Sequence, residues 1–210
     1  MKKVILSGLI LILVQACSSS YLQESIDVSK TKKSYDKILV VTRSSDKASR
    51  IRSERALVSK LAENGIQAIA SHEEPLTSSI PEKSSEAQAR AVAVQLSSKG
   101  YQGIIVTNLV DTQQYTDVIP GSTTTSYYPV RYGRYGRYVG AYPVSSWEPD
   151  RLQTGVEYIL ETCLYDIRVI DGDNLEWVGR FKVRDPSDLN KVTEKYVKEL
   201  VEALMESSIQ

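Results

Sequence analysis

Lys37-Ile38-Leu39-Val40-Val41-Thr42, then Asp46 to Asn64, then Ile66-Gln67-Ala68-Ile69-Ala70, is the stretch that decides the fold. The first segment is a continuous run of aliphatic residues without polar alternation, which suits a strand covered on both faces. In the second, Ile51, Val58, Leu61 and Ala62 share one side, Ser45 or Asp46 can cap the start, and Gly65 can end it, so a helix is predicted. Ile66 to Ala70 predicts a second strand. Two strands joined through one helix imply parallel pairing with a right-handed crossover.

Downstream the solution repeats. A loop with Pro75 and Pro81 leads to Ser85-Glu86-Ala87-Gln88, a capping box opening a second helix with Ala89, Val92, Ala93 and Leu96 as its apolar stripe. Gly100 ends it, and Gln102 to Leu109 predicts a third strand. Leu61-x-x-x-Gly65 echoes in Leu96-x-x-x-Gly100 at a spacing of 35 residues, the same helix stop used twice and not a solenoid. Further on, Val156 to Ile170 and Leu175 to Val183 flank Asp171-Gly172-Asp173-Asn174 and predict a hairpin. Asp185-Pro186-Ser187 would start a final helix with proline in its first turn. Leu189, Val192, Tyr196, Val197, Leu200, Val201 and Leu204 then recur at helical spacing. The expected fold class is α/β, one domain with a mixed sheet, in the order β-α-β-α-β-(insert)-β-β-α over residues 35–207.

The insert, residues 112–155, breaks the pattern. Seven of the thirteen tyrosines fall here, at 115, 127, 128, 132, 135, 138 and 142, and no acid occurs between Asp117 and Glu148. Arg131-Tyr132-Gly133, Arg134-Tyr135-Gly136 and Arg137-Tyr138-Val139 form a basic quasi-repeat. Its Gly and Pro content forbids a long helix. A mobile low-complexity loop and a contact surface are both open at this point. For the second, the contact residues are Tyr128, Arg131, Tyr132, Arg134, Tyr135, Arg137 and Tyr138, because tyrosine offers flat area at low entropy cost and arginine pairs with anions.

At the other end the chain reads MKKVILSGLILILVQACSSS. Lys2 and Lys3 precede an apolar run, Val4 to Val14, that would span roughly 16 Å as a helix and so cannot cross a ~30 Å hydrocarbon core. It fits a signal peptide over residues 1–16. Val14-Gln15-Ala16-Cys17 resembles a bacterial lipobox. That resemblance implies cleavage between Ala16 and Cys17, a thioether to diacylglycerol at Cys17 and a further acyl chain such as palmitate on its amine. Ser18 stands where an Asp would retain the protein at the inner membrane, so the outer membrane, facing the periplasm, is the expected address. Residues 17–34 are polar and read as a lipidated tether of roughly 20–25 Å.

The 26 basic and 26 acidic residues balance, and removing Lys2 and Lys3 leaves 24 against 26, a net charge of −2. Zero balance gives no general pull towards nucleic acid, and export argues against it further. With Cys17 acylated, Cys163 has no intramolecular partner, so no disulfide framework is expected. His72, beside Glu73 and Glu74 at the end of the second strand, is the sole histidine. It makes neither a metal set nor a triad, and no glycine loop for phosphates follows the first strand. No catalytic residue, metal or cofactor is expected.

The carboxy-terminal third, Leu160-Glu161-Thr162-Cys163-Leu164-Tyr165-Asp166, then Leu175-Glu176-Trp177, then Asp185-Pro186-Ser187 with its helix, resembles a group of bacterial envelope lipoproteins without assigned activity. They carry an L-Y-D, turn, L-x-W hairpin followed by a helix. The group is similar in fold to the amino-terminal domain of the Tol-system β-propeller protein and to curli-secretion lipoproteins. The resemblance implies an envelope location and no reaction. The expected function is therefore a non-enzymatic binding or assembly module, bound to lipid through Cys17 and partnered by an envelope protein or glycan. The alternatives are an envelope hydrolase or transferase using His72 with Glu73 or Glu74, and a subunit of a lipoprotein secretion pore.

Overall fold

A computed structural model describes residues 19–29, 31–79, 86–132, 138–169 and 174–209. The decisive strand, β2 (Lys37–Arg43), lies inside a six-stranded sheet of order β1-β8-β7-β4-β2-β3. Here β1 is Leu22–Asp27, β3 Gln67–Ala70, β4 Gly103–Ile119, β7 Arg151–Asp166 and β8 Leu175–Arg184. β2 pairs in parallel with both β3 and β4, whereas β1 pairs antiparallel with β8, so the sheet is mixed. The fold class is α/β, as the alternation of elements predicts.

Helices cover both faces where β2 lies, and this is why β2 shows no polar alternation. Ile38 and Val40 join a core with Leu57 and Leu61 of α1 (Lys47–Glu63) and Tyr196, Leu200 and Leu204 of α3 (Leu189–Ser207). Leu39 and Val41 turn the other way, onto Val92, Ala93 and Leu96 of α2 (Glu86–Ser98). The internal echo is a pair of identical helix stops. Gly65 and Gly100 take φ of +81° and +84°, and Ile66 N donates to Leu61 O (3.0 Å) as Tyr101 N does to Leu96 O (3.1 Å). This six-to-one closure needs a left-handed residue just past the helix, a conformation nearly free of strain only for glycine.

The cap of α1 is Asp46, whose side chain accepts from Ala48 N and Ser49 N. α3 differs from expectation. It starts at Leu189 with Asp188 as its cap, so Pro186 precedes the helix instead of opening it. Asp188 can accept two orphan amides, which proline at 186 could not use. Inside this body β4, β7 and α3 share a buried hydroxyl cluster. Tyr196 OH lies 2.9 Å from Thr107 Oγ1 and 2.6 Å from Thr162 Oγ1.

One expectation and one open alternative are overturned. Residues 17–34 do not form a tether over their described part, because Leu22–Asp27 is an edge strand on β8 and Lys33 bridges Ile209. The pattern Leu22-Gln23-Glu24-Ser25-Ile26-Asp27 is largely exposed, so only its partner strand makes it a strand. Nor is the insert a loop. β4 continues to Ile119, β7 begins at Arg151, and between them β5 (Thr123–Tyr132) and β6 (Tyr138–Trp147) pair antiparallel over ten residues each. Threonine, tyrosine and valine favour extended chain. Pro129 and Pro143 are tolerated because both strands are edges and proline's missing N–H can face outwards. The chain thus divides into two compact units, Thr112–Tyr158 and the body built from the residues on either side.

Candidate functional site

The ribbon β5–β6 carries most of the described exposed aromatic surface. Opposite residues of an antiparallel pair share a face. Tyr128 and Val130 therefore stand with Tyr142 and Gly140 on one face, and Tyr127, Pro129 and Arg131 with Pro143 and Ala141 on the other. Neither face is covered: Tyr127 is 70% exposed, Tyr128 56%, Tyr142 60% and Trp147 71%. Of the expected contact residues, the structure places Tyr128 and Arg131 in the open on β5. Tyr132 and Tyr138 are placed by register alone. Arg134, Tyr135 and Arg137 lie outside the described residues, as do Ala16 and Cys17.

The base of the ribbon is tightly built. A Cβ on Gly121 would stand 1.9 Å from the Glu148 carbonyl oxygen, so only glycine fits there. Gly121 N donates to Asp150 Oδ1 (2.7 Å), and Glu148 N donates to Ser122 O (2.9 Å). An antiparallel ribbon of two strands is marginal alone in water. This crossing at its root, and the Thr125–Ser145 hydroxyl pair at 2.9 Å, are local supports.

His72 has a carboxylate partner that its neighbours in sequence do not reveal. Nδ1 lies 2.7 Å from Oε2 of Glu54, which comes from α1 and is fully buried. Glu54 also accepts from Ser71 Oγ (2.6 Å), Thr42 N (3.0 Å) and His72 N (3.3 Å). Its two oxygens thus hold the ends of β2 and β3 together. Glu73 Oε1 stands 3.6 Å from His72 Nε2. Glu74 is engaged elsewhere, accepting from Lys99 Nζ (2.5 Å) and Tyr101 OH (2.9 Å). The lysine hydrogen bond is the main reason its carboxyl is held below the ordinary value. Of the two pairings in the alternative reading, His72 with Glu74 is not formed, and Ser71 Oγ donates to Glu54. The cluster is a clip across two strand ends. A charge at 54, on the helical stripe of Leu57 and Leu61, is the sequence signal for it.

A second clip uses the acids of the L-Y-D and L-E-W segments. Lys33 Nζ lies 2.7 Å from Glu176 Oε1 and 3.3 Å from Asp166 Oδ2. Arg168 donates to both Asp166 oxygens, at 2.9 and 2.8 Å. Burial opposes ionisation of Asp166, but the Arg168 bonds outweigh it and hold the carboxyl below its usual value. Trp177 is wholly buried in the core that α3 shares, with Gly179 under its ring. Cys163 is buried in β7, and burial raises its thiol above the ordinary value, the opposite of what a nucleophile needs.

No family model and no curated protein sequence matches this chain. Among solved structures it is similar to two of the PelC dodecamer from Paraburkholderia phytofirmans. Identities are 12% and 11% and TM-scores 0.45 and 0.46, covering 86% and 89% of this chain and 96% and 99% of those. It is also similar to lipoprotein GNA1162 from Neisseria meningitidis, at 15% identity and TM-score 0.41, over 81% of this chain and 99% of that one. At these values the likeness is one of general chain course.

Proposed function

We infer that this chain is an outer-membrane lipoprotein, anchored through acylated Cys17 and facing the periplasm. Its α/β body is a scaffold, and the β5–β6 ribbon is its contact arm for an envelope protein or glycan. The observation that carries this reading is the ribbon itself, whose aromatic residues stand open on both faces instead of entering a core. A monomeric soluble protein rarely leaves such surface uncovered. Tyrosine, tryptophan and arginine are the residue types that dominate binding energy at interfaces. The outer edges of the ribbon favour binding by face over strand addition, because Pro129 and Pro143 interrupt them. The two clips join strand ends through Glu54 with His72 and through Lys33 with Asp166 and Glu176, and in this reading they are structural.

The test is capture from the native envelope with the acylated protein as bait, beside a form lacking Arg131 to Val139. Loss of specific partners from the shortened form is expected. Equal recovery by both forms removes the ribbon from the mechanism.

A further inference from the structure

Almost no chain separates Cys17 from the folded body. Ser19 O accepts a hydrogen bond from Lys195 Nζ. Ser20 Oγ, Tyr21 N and Leu22 N donate to Glu199 Oε2 at 3.0, 2.7 and 2.9 Å. Lys195 Nζ also stands 4.2 Å over the Tyr21 ring, and Lys182 N donates to Tyr21 O at 2.8 Å. The segment is thus fastened to α3 and β8 from its first described residue. Only Ser18 intervenes between Cys17 and Ser19, so the two α-carbons stand at most roughly 7 Å apart.

Direction follows from the topology. β1 runs antiparallel to β8, with Leu22 opposite Phe181. Traced backwards from Leu22, the chain therefore heads the way β8 runs forwards, towards Arg184 and the turn that opens α3. Leu189 lies six residues before Lys195, about 9 Å further along the helix. It is 51% exposed although apolar.

We propose that the β8–α3 turn, with Leu189 at its tip, is a membrane-docking face that rests on the lipid headgroups of the bilayer holding Cys17. This rests on the acylation read above. Acyl chains seated in hydrocarbon bring Ser19 to the headgroup layer, and the pinned segment carries the turn down with it. Charge is not the driver, since Asp185 and Asp188 offset Arg184 and Lys191, so docking is insensitive to salt.

The experiment uses the full chain, expressed in a bacterium, in a Cys163→Ala background with a fluorophore at Asn190→Cys or at Glu206→Cys. These positions are about 24 Å apart at opposite ends of α3. Mass spectrometry first reports acylation of Cys17. The acylated protein is then placed in phosphatidylethanolamine–phosphatidylglycerol vesicles carrying a headgroup nitroxide. Quenching several-fold stronger at 190 than at 206, unchanged by high salt, is expected. A flexible Gly/Ser linker between Ser18 and Ser19 should reduce quenching at 190 to the level at 206. Equal quenching at both positions in acylated protein without the linker overturns the docking face and leaves the anchor standing. Absence of acylation overturns both.

Discussion

Fully buried, Glu54 accepts from Thr42 N, Ser71 Oγ and His72 N and lies against His72 Nδ1. Its substitution by glutamine keeps the volume but sets an NH₂ against those donors. Glu54→Gln should destabilise the protein by about 2–4 kcal/mol, read from the urea midpoint, because buried donors lose their acceptor. Glu73→Gln, half out in solvent 3.6 Å from His72, should stay within about 0.5 kcal/mol. Asp166 gives a pH signature. Its folded carboxyl titrates below the unfolded value of about 3.9, so its contribution is complete above that pH and is lost as pH falls through the lower folded value. Asp166→Asn should therefore be less stable than the parent at neutral pH, with the gap closing as the solution is acidified below about pH 4, which thermal melts across pH would record. Glu54 adjoins none of its partners in sequence. His72 could be singled out from its position after a strand, but Glu54 lies eighteen residues earlier, and only the packing of α1 on β2 and β3 unites them.

At the scale of elements, the strands and helices that bury a continuous apolar run or a helical stripe were legible. β2, α1, β3, β4, β8 and α3 each carry that signal in their own residues. Three parts were not. β1 has no apolar face of its own and depends on β8. The ribbon was masked by Pro129, Pro143 and the glycines of the Arg-Tyr-Gly repeat, which read as loop unless the strands are known to be edges. The α3 start was displaced because Asp185-Pro186 mimics a helix opening, whereas Asp188 makes the cap bonds. Two predictions belong here. Glu199→Ala removes the acceptor shared by Ser20, Tyr21 and Leu22, and should sharply speed amide exchange over residues 19–24 while exchange in β2 stays slow. Gly121→Ala would drive a Cβ into the Glu148 carbonyl and should loosen the ribbon root, seen as faster exchange over 121–150 without loss of the body's cooperative melt.

For the whole molecule, the body has its own core on both sides of the sheet, with Trp177, Phe181, Leu200 and Leu204 on one and Leu39, Leu96 and Tyr101 on the other. Deleting Arg131 to Val139 should consequently leave the melting temperature of the body within a few degrees of the parent while abolishing partner capture. The proposed fatty modification of Cys17 would fix this body to a bilayer. Its most direct test is intact mass and peptide mapping of the protein isolated from the membrane fraction of the expressing bacterium. A chain that begins at Cys17 and carries diacylglyceryl and amide-linked acyl mass is the expected result. A chain recovered from the soluble fraction with Met1 to Ala16 still attached and an unmodified Cys17 would contradict it.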